Sequence, residues 1–223
     1  MIEKVLKALH RDGELASWTK IGIASGLLAC FVYPIMAFVS MPRIPQLMLG
    51  ATFGPALAAA SVALAHVMQA RRRAPSLELA AIFNSLAGAL VTAMIIVQLA
   101  INYSTAPAAD EQLSTLFIHR LWDVVLGLDV SFDVFIGLAT LLFAVNMMRD
   151  PRFGRIIGWA GLVVSLVALL GANIYFFPDP PYTHGFPPIG VFTGLWYLAV
   201  VLLMVRSVSK AESGSDRLAT GGR

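Results

Sequence analysis

Residues 121–148 read LWDVVLGLDVSFDVFIGLATLLFAVNMM, an apolar run with Asp123 near its start and two aspartates, Asp129 and Asp133, inside it. About 20 apolar residues cross the hydrocarbon core of a bilayer as a helix, so this run predicts a transmembrane span. A spacing of four puts both carboxylates on one helix face, roughly 6 Å apart along the axis. If Trp122 and Arg149 mark the two interfaces, Asp133 falls within roughly 5 Å of the midplane. Asp129 is then one turn outward, and Asp123 lies at the outer boundary. A carboxylate at membrane depth is costly and turns to the bundle interior, to water or to a partner, which makes it a candidate functional group.

Working outward, five more runs pass the same length test: residues 18–41, 46–70, 77–103, 156–177 and 186–205. The composition agrees, with 58% hydrophobic and 13% charged residues and a mean hydropathy of +0.77. Soluble domains carry about 25% charged residues. A lone helix satisfies its own backbone in lipid, and the alternation of barrel strands is absent. The expected fold is therefore all-α, a polytopic bundle of six transmembrane helices over residues 18–208.

Orientation follows from the basic residues. With the N-terminus inside, every lysine and arginine except Arg43 and Arg120 falls in an inside segment. That asymmetry predicts cytoplasmic N- and C-termini. Residues 1–17 place Ile2, Val5, Leu6 and Leu9 at helical spacing beside Lys4, Lys7 and Arg11, as in a short amphipathic helix on the inner leaflet. Glu3, Arg11, Asp12 and Glu14 interrupt any secretory signal, so the first span is expected to stay. Residues 209–223 are polar and glycine-containing and are expected to form a disordered cytoplasmic tail.

Small residues recur at helical spacing: Gly22 and Gly26; Gly50, Gly54 and Ala58; Gly158, Gly161 and Ser165; Gly190 and Gly194. Such stripes let helices approach closely, within the chain or across a homodimer or membrane-protein interface built on Gly50, Gly54, Gly158 and Gly161. Pro34 and Pro55 are expected to kink the first two spans.

The fourth span has a polar and small face of Asp129, Asp133, Gly137, Thr140 and Ala144. The third offers Asn84, Gly88 and Thr92 on one stripe. No lysine or arginine lies mid-span to neutralise the acids, and two neighbouring buried carboxyls do not both stay charged, so one is expected to hold a proton. Asp129, Asp133, Thr140, Asn84 and Thr92 form the candidate proton or cation site. The alternative for Asp133 is a structural hydrogen bond to Asn84, Thr92, Tyr33 or a kink carbonyl.

On the outer face, Leu113, Leu116 and Phe117 follow Asp110 at helical spacing, predicting a helix that lies in the interface or extends the fourth span. Residues 178–188 are proline-rich and flanked by aromatics, predicting a rigid cap with Tyr182, His184 and Phe186, beside which His119 lies. His119 with Asp123, and His184 with Asp179, have chance-level spacing for a ligand set, so no metal is expected. His66, near the inner end of the second span, reads as a packed or interfacial histidine. The single Cys30 is mid-span, which excludes an intramolecular disulfide. There is no phosphate-cradling glycine loop, nucleophile elbow or HExxH pair, so no cofactor is expected and enzymatic function has little support. The dispersed charge excludes a nucleic-acid footprint.

The stretch LGLDVSFDVFIGLATLLFAVNMMRDPRFGRIIGWAGL, residues 126–162, resembles the corresponding part of a bacterial six-span family catalogued as a domain of unknown function. There a Gly-Leu-Asp step and a second acid open the fourth span, and an arginine-bearing turn leads to a glycine-rich fifth. The resemblance implies a multi-pass protein of the bacterial inner membrane and supplies no activity. The functional expectation is a small proton- or cation-coupled transporter or channel. The alternative is a non-catalytic sensor or assembly partner of another membrane protein.

Overall fold

The computed structural model describes residues 2–103, 111–171 and 189–220. They form six α-helices: α1 (Ile2–Phe38), α2 (Arg43–Gln69), α3 (Pro75–Asn102), α4 (Glu111–Met147), α5 (Gly154–Gly171) and α6 (Ile189–Thr220). No strand occurs among the described residues. Four stretches are long and apolar enough to cross a membrane: Gly13–Met36, Arg43–Gln69, Pro75–Asn102 and Leu116–Met147. Two shorter apolar helices, Gly154–Leu170 and Gly190–Arg206, accompany them. These are the helices of a multi-pass membrane protein.

Two element boundaries, at the start of α1 and the end of α6, differ from the sequence reading, and at α4 one of its two alternatives holds. α1 runs unbroken from Ile2 to Phe38, so residues 2–17 continue the first span and no turn makes them a separate interfacial helix. α4 begins at Glu111, so the segment expected before the fourth span extends it. α6 continues to Thr220 through residues expected as a disordered tail. Ala211, Glu212, Arg217, Leu218 and Ala219 favour helix enough to carry it past Gly214. Pro34 and Pro55 both sit inside their helices without ending them. Each removes the hydrogen bond to the carbonyl four residues earlier, at Cys30 and Ala51.

Each helix packs on its neighbours in the chain, and α6 returns to α1, closing a ring. The facing residues show that neighbours run antiparallel: Gly22 meets Met204 while Gly26 meets Val201, and Ser76 meets Asn146 while Phe83 meets Phe135. Lipid offers no hydrophobic drive between helices, so close backbone approach has to supply the contact. The tightest approach is between α2 and α3. A Cβ on Gly54 would overlap the Gly88 carbonyl and the Thr92 hydroxyl, and a Cβ on Gly88 would lie 2.6 Å from the Gly54 carbonyl oxygen. On the far side, a Cβ on Gly161 would come 2.7 Å from the Trp196 ring and 2.8 Å from the Ala144 Cβ. Trp196 also donates its indole N–H to the Ile157 carbonyl at 2.9 Å, tying α6 to α5.

Polarity is arranged for lipid. Asn84 and Thr140 are 0% exposed and Ser61 is 1% exposed, while Val163 and Leu195 are more than half exposed. Scattered exposure of large apolar groups around a whole bundle is unsuited to water and matched to acyl chains.

The turn from α4 to α5 is held by side chains. Asp150 accepts from the backbone N–H of Arg152 at 3.0 Å and from its guanidinium at 2.6 Å, a fork that fixes the turn. The backbone then passes through Gly154 at φ +80°, a left-handed conformation where glycine carries no Cβ penalty. Burial pulls the Asp150 carboxyl upward, but the Arg152 hydrogen bonds and charge, with Arg71 beyond, hold it below the usual carboxylate range.

Two tests follow from this packing. Gly54→Ala is expected to destabilise the bundle by about 1–3 kcal/mol through overpacking. Gly127→Ala, whose Cβ would meet nothing within 4 Å, is expected to be neutral or mildly stabilising; thermal unfolding in detergent compares the two. The depressed Asp150 carboxyl contributes stability that is complete above the ordinary carboxylate value of about 4 and is lost as pH falls below it. Melting temperature against pH should therefore drop on the acid side in the wild type, and Asp150→Asn should remove part of that drop.

Candidate functional site

The fourfold face of α4 is real and points inward. A Cβ on Gly137 would meet Leu169 of α5 at 3.1 Å. Ala144 packs under Gly158 and Gly161 of α5. Thr140 donates its hydroxyl to the Tyr197 oxygen of α6 at 3.4 Å. Asp133 and Asp129 continue this face by one and two turns beyond Gly137. Both are partly buried, and they stand close enough for their charges to interact. Among the described residues neither carboxylate makes a hydrogen bond or an ion pair. No bond joins Asp133 to Asn84, to Thr92 or to a carbonyl at a proline. The Tyr33 side chain lies outside the described residues.

The other candidate residues sit elsewhere in the interior. Thr92 donates back to the Gly88 carbonyl at 2.9 Å and packs at the Gly54 crossing. Its hydroxyl is thereby used within the α2–α3 contact. Asn84 lies deeper along α3 and donates its amide to the Ser61 hydroxyl of α2. Ser61 in turn donates to the Leu57 carbonyl at 2.8 Å. The phenol of Tyr197 lies beside Asn84 as well as Thr140. Four helices thus meet in one buried polar cluster: Ser61 from α2, Asn84 from α3, Thr140 from α4 and Tyr197 from α6. Thr193 is one turn before Tyr197 on the same face of α6 and is also buried.

Two atoms of this interior are unsatisfied. The side-chain oxygens of Asn84 and Thr193 are buried and have no hydrogen-bond partner among the described residues. A buried polar group without a partner costs about 1–3 kcal/mol, so such groups mark places where the chain holds polarity for a reason beyond packing. Thr140 lies seven residues beyond Asp133 on α4, about 10 Å along the axis. The carboxylates and the neutral cluster are therefore successive polar stations on one inward surface.

Ser61, Thr193 and Tyr197 were not singled out in the sequence. Their signal was weak: a lone serine in an alanine-rich helix, and a Thr193 to Tyr197 step of four on a span otherwise apolar. Attention to charge favoured the acids over neutral polar groups.

The remaining expectations have clear placements. His119 is exposed on the N-terminal extension of α4, and Asp123 is engaged by Arg120 at 3.2 Å. Tyr182, His184 and Phe186 lie outside the described residues, as does Asp179. Among the described residues no group of three His, Cys, Asp or Glu side chains is assembled for a metal. His66 is exposed and stacks on Trp18 with ring centroids 4.3 Å apart. Gly50, Gly54, Gly158 and Gly161 are all covered from within the chain.

Compared with protein-family models, curated proteins and solved structures, the chain matches none of them.

Proposed function

We propose that this chain is a small transporter or channel in which Asp129 and Asp133 bind a proton or monovalent cation. The observation that supports this most is that two neighbouring, partly buried carboxylates on the inward face of α4 have no hydrogen-bond or ion-pair partner among the described residues. A purely structural acid in a bundle would be hydrogen-bonded, because an unpaired buried polar group is costly. The acids lead along α4 to the Thr140, Tyr197 and Asn84 cluster, where unsatisfied oxygens can accept a hydrogen bond from water or face a cation.

In this reading all six helices cross the membrane with both termini in the cytoplasm, which the basic residues after α2, α4 and the apolar part of α6 support. The proposed location is a bacterial inner membrane, supported by the charge asymmetry and the residue 126–162 resemblance. A role as an assembly partner would need a surface other than the four glycines covered from within the chain.

The test is flux in liposomes containing the purified full chain, driven by a proton, sodium or potassium gradient. Asp133→Asn should fold, as judged by size exclusion and circular dichroism, and reduce flux to the level of protein-free vesicles. Flux that is absent in the wild type under every gradient, or unchanged in Asp133→Asn, contradicts the proposal.

A further inference from the structure

A second polar site lies at the end of the bundle where α4 stops, about 20 Å along the helix from Asp133, and is independent of the acid pair. The end of α2, the start of α3 and the α4–α5 turn enclose a pocket of about 270 Å³. Arg71, Arg72 and Arg149 line it, together with Asn146 and Asp150, over apolar contributions from Met68 and Leu77. The three arginines come from two separate loops that the fold brings together. None of them makes an ion pair among the described residues.

The one carboxylate in the lining, Asp150, feels the Arg71 charge as well as Arg152, and a single carboxylate among these arginines leaves the rim positive. Asp150 is bound by the Arg152 guanidinium at 2.6 Å and by the Arg152 backbone N–H. Asn146 is likewise held in place, donating to Ser76 at 2.9 Å and to the Leu142 carbonyl at 2.8 Å. The pocket is thus a fixed wall with excess guanidinium charge at its rim. Guanidinium forks match phosphate oxygens geometrically and are less strongly hydrated than ammonium groups.

The position of the pocket selects the source of that phosphate. It opens where membrane-crossing helices end, at headgroup depth, and its lining includes Met68 and Leu77. Leu79 and Ile82, at the same level of α3 as the buried lining residue Leu77 but on other faces of the helix, are exposed, as acyl-chain contacts would be. Basic pockets between transmembrane helices at the cytoplasmic boundary are suited to anionic lipid headgroups. We infer that Arg71, Arg72 and Arg149 form a binding site for the phosphate headgroup of an anionic phospholipid, in the leaflet on the side of the basic loops.

The experiment uses the full chain, delipidated in a zwitterionic detergent. It is titrated with short-chain phosphatidylglycerol, short-chain phosphatidylcholine or inorganic phosphate. Binding is read by native mass spectrometry and by the shift in melting temperature. Phosphatidylglycerol should bind and raise the melting temperature, while phosphatidylcholine and inorganic phosphate should not. Arg71→Ala and Arg149→Ala should each weaken phosphatidylglycerol binding about fivefold and leave the lipid-free melting temperature unchanged. Arg73→Ala, next in sequence but outside the lining, should bind as the wild type does. Equal binding by the Arg71→Ala, Arg149→Ala double variant overturns the site. An equal response to inorganic phosphate overturns the lipid assignment in favour of a soluble phosphate compound.

Discussion

The close crossing of α2 on α3 at Gly54 and Gly88 sets the geometry of everything inside the ring. With no side chain at either position, the two backbones come together until carbonyl faces glycine. About two turns deeper, the same approach sets Asn84 against Ser61. That pair then offers a polar surface to Thr140 and Tyr197 from the other side of the ring. In lipid this contact cannot be replaced by a larger apolar pair, because the alternative to helix contact is an acyl chain of equal polarity. Glycine is used here for its small size, and the neutral polar cluster is a consequence of how tightly it lets α2 and α3 pack.

The interior is polarised along its length. The acid pair stands near the middle of α4, the neutral hydroxyl and amide cluster lies about two turns further along it, and the arginine pocket closes that end. The neutral cluster is mostly paired within itself, and this lowers the cost of placing Ser61, Asn84 and Thr140 out of water. The carboxylates lack that internal pairing, which separates them from the structural polar groups below them. Latches at both ends keep the helices in register around these stations. Arg43 lies over the Tyr103 ring at 5.0 Å at one end, and Trp18 stacks on His66 at the other.

The presence of six helices was readable from hydropathy, though among the described residues four of them, and not all six, are long and apolar enough to cross a membrane. The inward face of α4 was readable from the spacing of Asp129, Asp133, Gly137, Thr140 and Ala144. What periodicity could not say was which neighbour each face meets. Asn84 and Thr92 share a stripe on α3 with Gly88, yet Thr92 serves the glycine crossing and Asn84 serves Ser61 and Tyr197. Helix ends were also poorly marked, because α1, α4 and α6 extend past their apolar runs through residues whose helical propensity is adequate without burial. The arginine pocket was invisible for a different reason: Arg71 and Arg149 are far apart in sequence, and only the fold closes the distance.

The central claim is that Asp129 and Asp133 are a coupled pair open to exchange and not a sealed hydrogen bond. Infrared titration of the carboxyl C=O band in lipid, with wild type, Asp129→Asn and Asp133→Asn, tests it directly. The account predicts a protonated-carboxyl band that titrates reversibly with bulk pH, disappears in Asp133→Asn and shifts in Asp129→Asn. A band that stays constant across the whole stable pH range, or that ignores the loss of its neighbour, would contradict it.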